Sequence, residues 1–117
     1  MLKGLYISSD CNKKVGLVEV DLDDEERVKQ LVGGDFNCGT WSENEPRRGD
    51  DCIIFSSNAD PLYKQKPENH RVSLLLDLVV KINRKFVVRG DALIFGYNDF
   101  EPISLSDELF QQLNIFL

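Results

Sequence analysis

Phe86-Val87-Val88-Arg89-Gly90-Asp91-Ala92-Leu93-Ile94-Phe95-Gly96-Tyr97-Asn98-Asp99-Phe100-Glu101-Pro102-Ile103-Ser104-Leu105-Ser106-Asp107-Glu108-Leu109-Phe110-Gln111-Gln112-Leu113 is the stretch whose reading decides the fold. Phe86-Val87-Val88 reads as a short strand or the approach to one, Arg89-Gly90-Asp91 as a turn, and Ala92 to Tyr97 as a strand. Gly and Asp are turn formers, which is the better account of an Arg-Gly-Asp triplet here and at Arg48-Gly49-Asp50. Ser106 is placed to cap a closing helix, with Leu105 before it set to staple against Phe110. Leu109, Leu113 and Phe116 or Leu117 form the buried side of that helix.

Upstream, Leu75, Leu76, Val79, Val80 and Asn83 follow helical spacing within residues 72 to 83. The Val and Ile content suits a strand as well; a helix is the favoured reading and the strand stays open. Residues 56 to 71 are polar and irregular, and Pro61 and Pro67 exclude a continuous helix. Cys52-Ile53-Ile54-Phe55 is a compact apolar run of the length of a core strand. It follows a polar loop from Ser42 to Asp51, and residues 35 to 41 form a weaker strand.

The first third opens with a strand over residues 2 to 8 and a polar turn over residues 9 to 14. From Gly16 to Leu22 apolar and charged residues alternate, so Val18, Val20 and Leu22 share one face of a second strand, paired with the first as an antiparallel hairpin. Asp23-Asp24-Glu25-Glu26 announces a helix, with Asp23 as the cap and Glu26 completing a capping-box spacing. Val28, Leu31 and Val32 supply its apolar stripe, and Gly33-Gly34 ends it. The acidic cluster is therefore helix punctuation, complementing the helix dipole, before it is a metal or catalytic site.

These elements predict an α+β fold: a small mixed or antiparallel sheet with two to three packed helices, in a single domain spanning residues 1–117. A chain of 117 residues is long enough to bury a core without staples. Apolar residues at 42% and charged residues at 29% are the balance of an ordinary globular domain. No apolar run approaches a membrane span and no secretory leader is legible, so a cytoplasmic protein without membrane contact is expected.

Cys11, Cys38 and Cys52 are odd in number and widely spaced, which argues against a disulfide framework and for ordinary half-buried thiols. With His70 the single histidine, neither a metal site nor a cofactor is expected. The net charge of −6 disfavours direct binding to nucleic acid. The charge is also segregated. Residues 19 to 26 hold six carboxylates, Glu19, Asp21, Asp23, Asp24, Glu25 and Glu26, with no cation among them, whereas residues 64 to 89 are mainly basic. Both stretches read first as solvated faces; the functional alternative is an anion-facing basic surface opposite an acidic helix entrance.

Several pieces, in order, carry a family likeness: Leu31-Val32-Gly33-Gly34, then Ile53 to Asn58, then Asn69-His70-Arg71, then Val88 to Gly96, and Phe100 to Leu109. With them the chain resembles the bacterial, phage and mobile-element family catalogued as domain of unknown function 3846, over most of its length. It departs at Ala59-Asp60-Pro61, where members tend toward acidic residues and a glycine, and in a longer segment over residues 72 to 87. The resemblance implies a small accessory protein of phage or integrated elements and supplies no catalytic residue.

The leading expectation is thus a non-enzymatic accessory binding protein, occupying a host protein or sequestering a small anionic, nucleotide-like ligand. Asn58, Asn69, Arg71, Arg84 and Arg89 are its candidate binding residues. Asn58 and Asn69-His70-Arg71 sit at the two ends of a polar loop, where Asn offers donor and acceptor together and Arg a planar fork for phosphate or carboxylate. On this reading Arg71→Ala weakens ligand binding by about 1–3 kcal/mol. The competing structural account is that both Asn side chains satisfy the loop's own backbone. Trp41 and Tyr63 offer stacking surface or core. Two further functions are weighed: an acidic protein-interaction module resembling nucleic-acid charge, and a small enzyme pairing Cys38 or Cys52 with His70. Homo-oligomerisation is left open.

Overall fold

Two apolar runs, Cys52-Ile53-Ile54-Phe55 and Ala92-Leu93-Ile94-Phe95, lie side by side within one antiparallel sheet. A computed structural model describes residues 1–41, 52–75, 87–98 and 100–114. In chain order the elements are β1 (Leu2–Ile7), β2 (Gly16–Val20), α1 (Glu25–Val32), β3 (Asn37–Trp41) and β4 (Cys52–Ser56). A 3₁₀ turn (Tyr63–Gln65), α2 (His70–Leu75), β5 (Ala92–Asn98), β6 (Glu101–Ile103) and α3 (Asp107–Asn114) follow. The strand order is β2-β1-β5-β4-β3, with β6 paired to β5, and every pairing is antiparallel. The fold is therefore a small α+β domain.

Successive strand residues point to opposite faces, and in β4 and β5 both faces are buried. Ile53, Phe55, Leu93 and Phe95 pack with Val28 and Val32 of α1 on one side. Cys52, Ile54, Ala92 and Ile94 pack with Val72 and Leu75 of α2, and with Leu105, on the other. This double burial is why β4 and β5 read as unbroken apolar runs, whereas β2 alternates. Leu105 lies in the second cluster and Phe110 packs against that cluster.

The β1–β2 hairpin forms in register, with Leu2 opposite Val20 and Tyr6 opposite Gly16. Helix α1 ends at Gly33, whose φ of 88° is left-handed. The amides of Gly33 and Gly34 both donate to the Lys29 carbonyl, closing the last turn.

Four local expectations need correcting. The α1 cap is Asp24, whose carboxylate accepts from the Arg27 amide at 3.2 Å; Asp23 instead lies in a turn where its amide donates to Asp21. Helix α2 starts at His70, inside the stretch expected to be irregular, because Asn69 Oδ1 accepts from the Val72 amide. Val87 and Val88 form no strand; a single bridge joins Glu68 to Arg89. Strand β6 was not foreseen, since a short segment with Pro102 at its centre lacks an alternating signal, and proline is tolerated there only at an edge.

The expectations for the loop 42–51, for residues 76–86 including Arg84, for Phe116 and Leu117, and for the side chains of Trp41, Leu109 and Leu113 lie outside the described residues. Among the described residues no helix is long and apolar enough to cross a membrane.

Candidate functional site

The sheet has two rims with different chemistry. At the first, β1 and β4 end while β3 and β5 begin, as the pairings Ile7–Ala92, Ser56–Ala92 and Asn37–Ser56 require. Four of the expected binding residues gather near this rim. Asn69 is fully buried; its amide nitrogen donates to the carbonyls of Ile7 (2.9 Å) and Gly90 (3.0 Å). The Arg71 guanidinium donates to the carbonyls of Ser8 (2.6 Å), Asp10 (3.0 Å) and Lys13 (2.7 Å), clamping the β1–β2 turn. Arg89 donates to the Lys66 carbonyl, and Asn58 Oδ1 accepts from the Asn37 amide. Each of these four side chains holds backbone of this same domain. Arg84, the fifth, lies outside the described residues.

The same rim carries two further networks. Lys66 Nζ donates to the Gly33 carbonyl (2.9 Å) and to Ser57 Oγ (2.7 Å), and lies 3.5 Å from Asp60. The Leu62 amide donates to Asp60 Oδ1, and this bond, with Lys66 alongside, holds the carboxyl below its usual range. The Tyr6 hydroxyl donates to Asp91, which also accepts from the Ser9 amide at 3.0 Å. Burial, reinforced by the Asp91 carboxylate, pushes the Tyr6 hydroxyl up to about 12. Tyr63 ties in residues 87 to 89: its hydroxyl donates to the Val87 carbonyl and accepts from the Arg89 amide.

The thiols are not the half-buried set expected. Cys11 and Cys38 are exposed, because one lies in the β1–β2 turn and the other on an edge strand, while Cys52 is buried in β4. His70 is 70% exposed and pairs with Glu68 at 3.5 Å. Among the described residues no three His, Cys, Asp or Glu side chains converge on a metal-holding arrangement.

The second rim carries an open cleft. Strand β1 pairs with β5 only from Leu5 to Ile7; farther along β5, Gly96 to Asn98 pair with β6 instead. The segment after β6 is stitched to β1 by two bonds, from the Lys3 amide to Ser104 Oγ and from the Leu105 amide to the Lys3 carbonyl. Gly4 makes this crossing possible: a Cβ there would stand 2.5 Å from Phe95 Cε1 and 2.8 Å from the Ile94 carbonyl. Between β6 and the β1–β2 end lies a cleft of about 440 Å³. Met1, Leu2, Leu22 and Pro102 give it apolar walls. Asp21, Asp23 and Glu101 give it exposed carboxylates, and among the described residues no Lys, Arg or His lines it.

Helix α1 begins near this rim, after its cap Asp24, and the carbonyl of Gly33 at its far end accepts from Lys66 at the other. The acidic helix entrance and the arginine clamp thus occupy opposite rims. The cleft was not legible beforehand, because it joins residues 1–2, 20–23 and 101–102.

No family model matches the chain, and no curated protein does. Among solved structures it is similar to one titled "Crystal structure of small RNA methyltransferase HEN1", at 17% identity and a TM-score of 0.61. The likeness covers 97% of this chain but 16% of that one. At this identity it is a likeness of fold, between nearly the whole of this chain and a small part of a much longer one.

Proposed function

We propose that this domain is a non-enzymatic protein-binding module whose acidic cleft receives a positively charged segment of a partner protein. The observation that carries this reading is the contrast between the rims. Asn69, Lys66 and the two terminal nitrogens of Arg71 donate to carbonyls and side chains of the domain itself, whereas Asp21, Asp23 and Glu101 face an open cleft with no Lys, Arg or His side chain among the described residues that line it. Carboxylates around apolar walls favour a ligand with basic groups flanking an apolar one. The family resemblance supplies the setting, an accessory protein of a phage or mobile element acting on a host protein.

The test compares wild type with a triple variant, Asp21→Lys, Asp23→Lys and Glu101→Lys, as bait in bacterial host lysate over a salt series. A specific partner should be retained by wild type at low salt, lost by the triple variant, and released as ionic strength rises. Equal retention by both baits sinks the reading.

A further inference from the structure

The β5–β6 turn displays an aromatic ring that the described residues leave almost uncovered. Phe100 is 85% exposed, and its φ of 63° makes it the one non-glycine residue with positive φ among the described residues. A bulky side chain is disfavoured in that conformation, which Gly, Asn or Asp adopt more readily. The ring therefore adds strain to the turn and gains almost no burial in return. Folding alone would favour a different residue here, so the advantage of phenylalanine is to be sought in what approaches the turn from outside.

What approaches is constrained by the neighbouring surface. Phe100 precedes Glu101 and Pro102, both of which line the acidic cleft, and Met1 at the same cleft is 88% exposed. An exposed aromatic beside a carboxylate-lined, partly apolar cleft has the make-up of an anchor with a polar surround. We infer that Phe100 is the anchor residue of the docking surface, seating on the apolar face of a basic partner segment whose Lys or Arg side chains enter the cleft. Charge complementarity selects that occupant: a second copy of this chain, with a net charge of −6, would bring like charges together. This inference rests on the protein-binding reading above and adds the residue that anchors the partner.

The experiment uses the full chain and an array of twelve-residue peptides in which two or more Lys or Arg flank a Leu, Met or Phe, beside the same array with Glu in place of the cations. Phe100→Asn is the variant, because asparagine accepts the left-handed conformation and relieves the strain. Wild type should bind members of the basic array and not the acidic one. Phe100→Asn should bind them about tenfold more weakly or worse, while its melting temperature holds or rises by a few degrees. Undiminished binding by Phe100→Asn overturns the anchor and leaves the protein-binding reading intact. A lower melting temperature in that variant also overturns it, by showing that the ring serves the fold. Failure of wild type to bind any basic peptide, or equal binding to both arrays, removes the protein-binding reading itself.

Discussion

Asn69 joins three segments that are far apart in sequence. Its amide nitrogen holds the carbonyls at the end of β1 and in the turn before β5, while its oxygen caps α2. Asn69→Ala should lower stability by about 1–3 kcal/mol in urea denaturation, because buried carbonyls lose their donor. Asn69→Asp separates this bracket from a simple cap. Aspartate caps helices as well as asparagine does, but an acceptor-only carboxylate facing two carbonyls should be at least as damaging as alanine. Recovery of wild-type stability by Asp would show that capping is the residue's whole role.

Tyr6 adds a pH dependence of definite sign. Its native hydroxyl stays protonated up to about 12, above the ordinary value of 10.0. The stabilisation is complete below pH 10 and declines as pH rises toward 12, since the unfolded chain releases its proton first. Tyr6→Phe should flatten the stability profile over that window, when both proteins are compared by chemical denaturation at matched pH. Identical slopes would mean that burial and the Asp91 carboxylate together leave the Tyr6 hydroxyl unshifted by folding.

At the scale of elements, capping chemistry was legible but its register was not. Asp23 and Asp24 are interchangeable by composition, and Asp23 has the better capping-box spacing to Glu26. The turn closed by Asp21, which accepts from the Asp23 amide through its side chain and the Asp24 amide through its carbonyl, moves the helix start by one residue. Asp24→Ala should therefore destabilise the domain by about 1 kcal/mol, and Asp23→Ala by only a few tenths, as read from thermal melts. The reverse order would restore the cap to Asp23. Strand β4, the core of β5 and the α1 stripe were readable because burial on two faces, one face or a helical stripe each leaves a distinct periodicity. Strand β6 left no such mark, since three residues paired to the end of β5 need no apolar pattern.

Across the whole molecule, the antiparallel sheet segregates charge in a way composition only hinted at. Helix α1 crosses one face from the acidic rim to the Lys66 network, so clusters far apart in sequence lie at opposite ends of one element. Arginine and asparagine suit anions as well as they suit carbonyl groups. For Asn69, Arg71 and Arg89 folding supplies carbonyls, from the end of β1, the β1–β2 turn and the loops before and after α2.

The chain alone determined the α+β class, the β1–β2 hairpin, the buried central runs and the glycine end of α1, because periodicity and turn chemistry act over a few neighbouring residues. Only the tertiary structure decided which of the described cations bind backbone, where β1 gives way to β6, and that an acidic cleft opens at Glu101, next in the chain to an exposed Phe100. Those outcomes depend on pairings between segments some sixty to a hundred residues apart, such as Arg71 with Ser8 and Leu105 with Lys3. No local pattern records them, because a hydrogen-bond donor carries the same chemistry whether its acceptor comes from a ligand or from a distant turn.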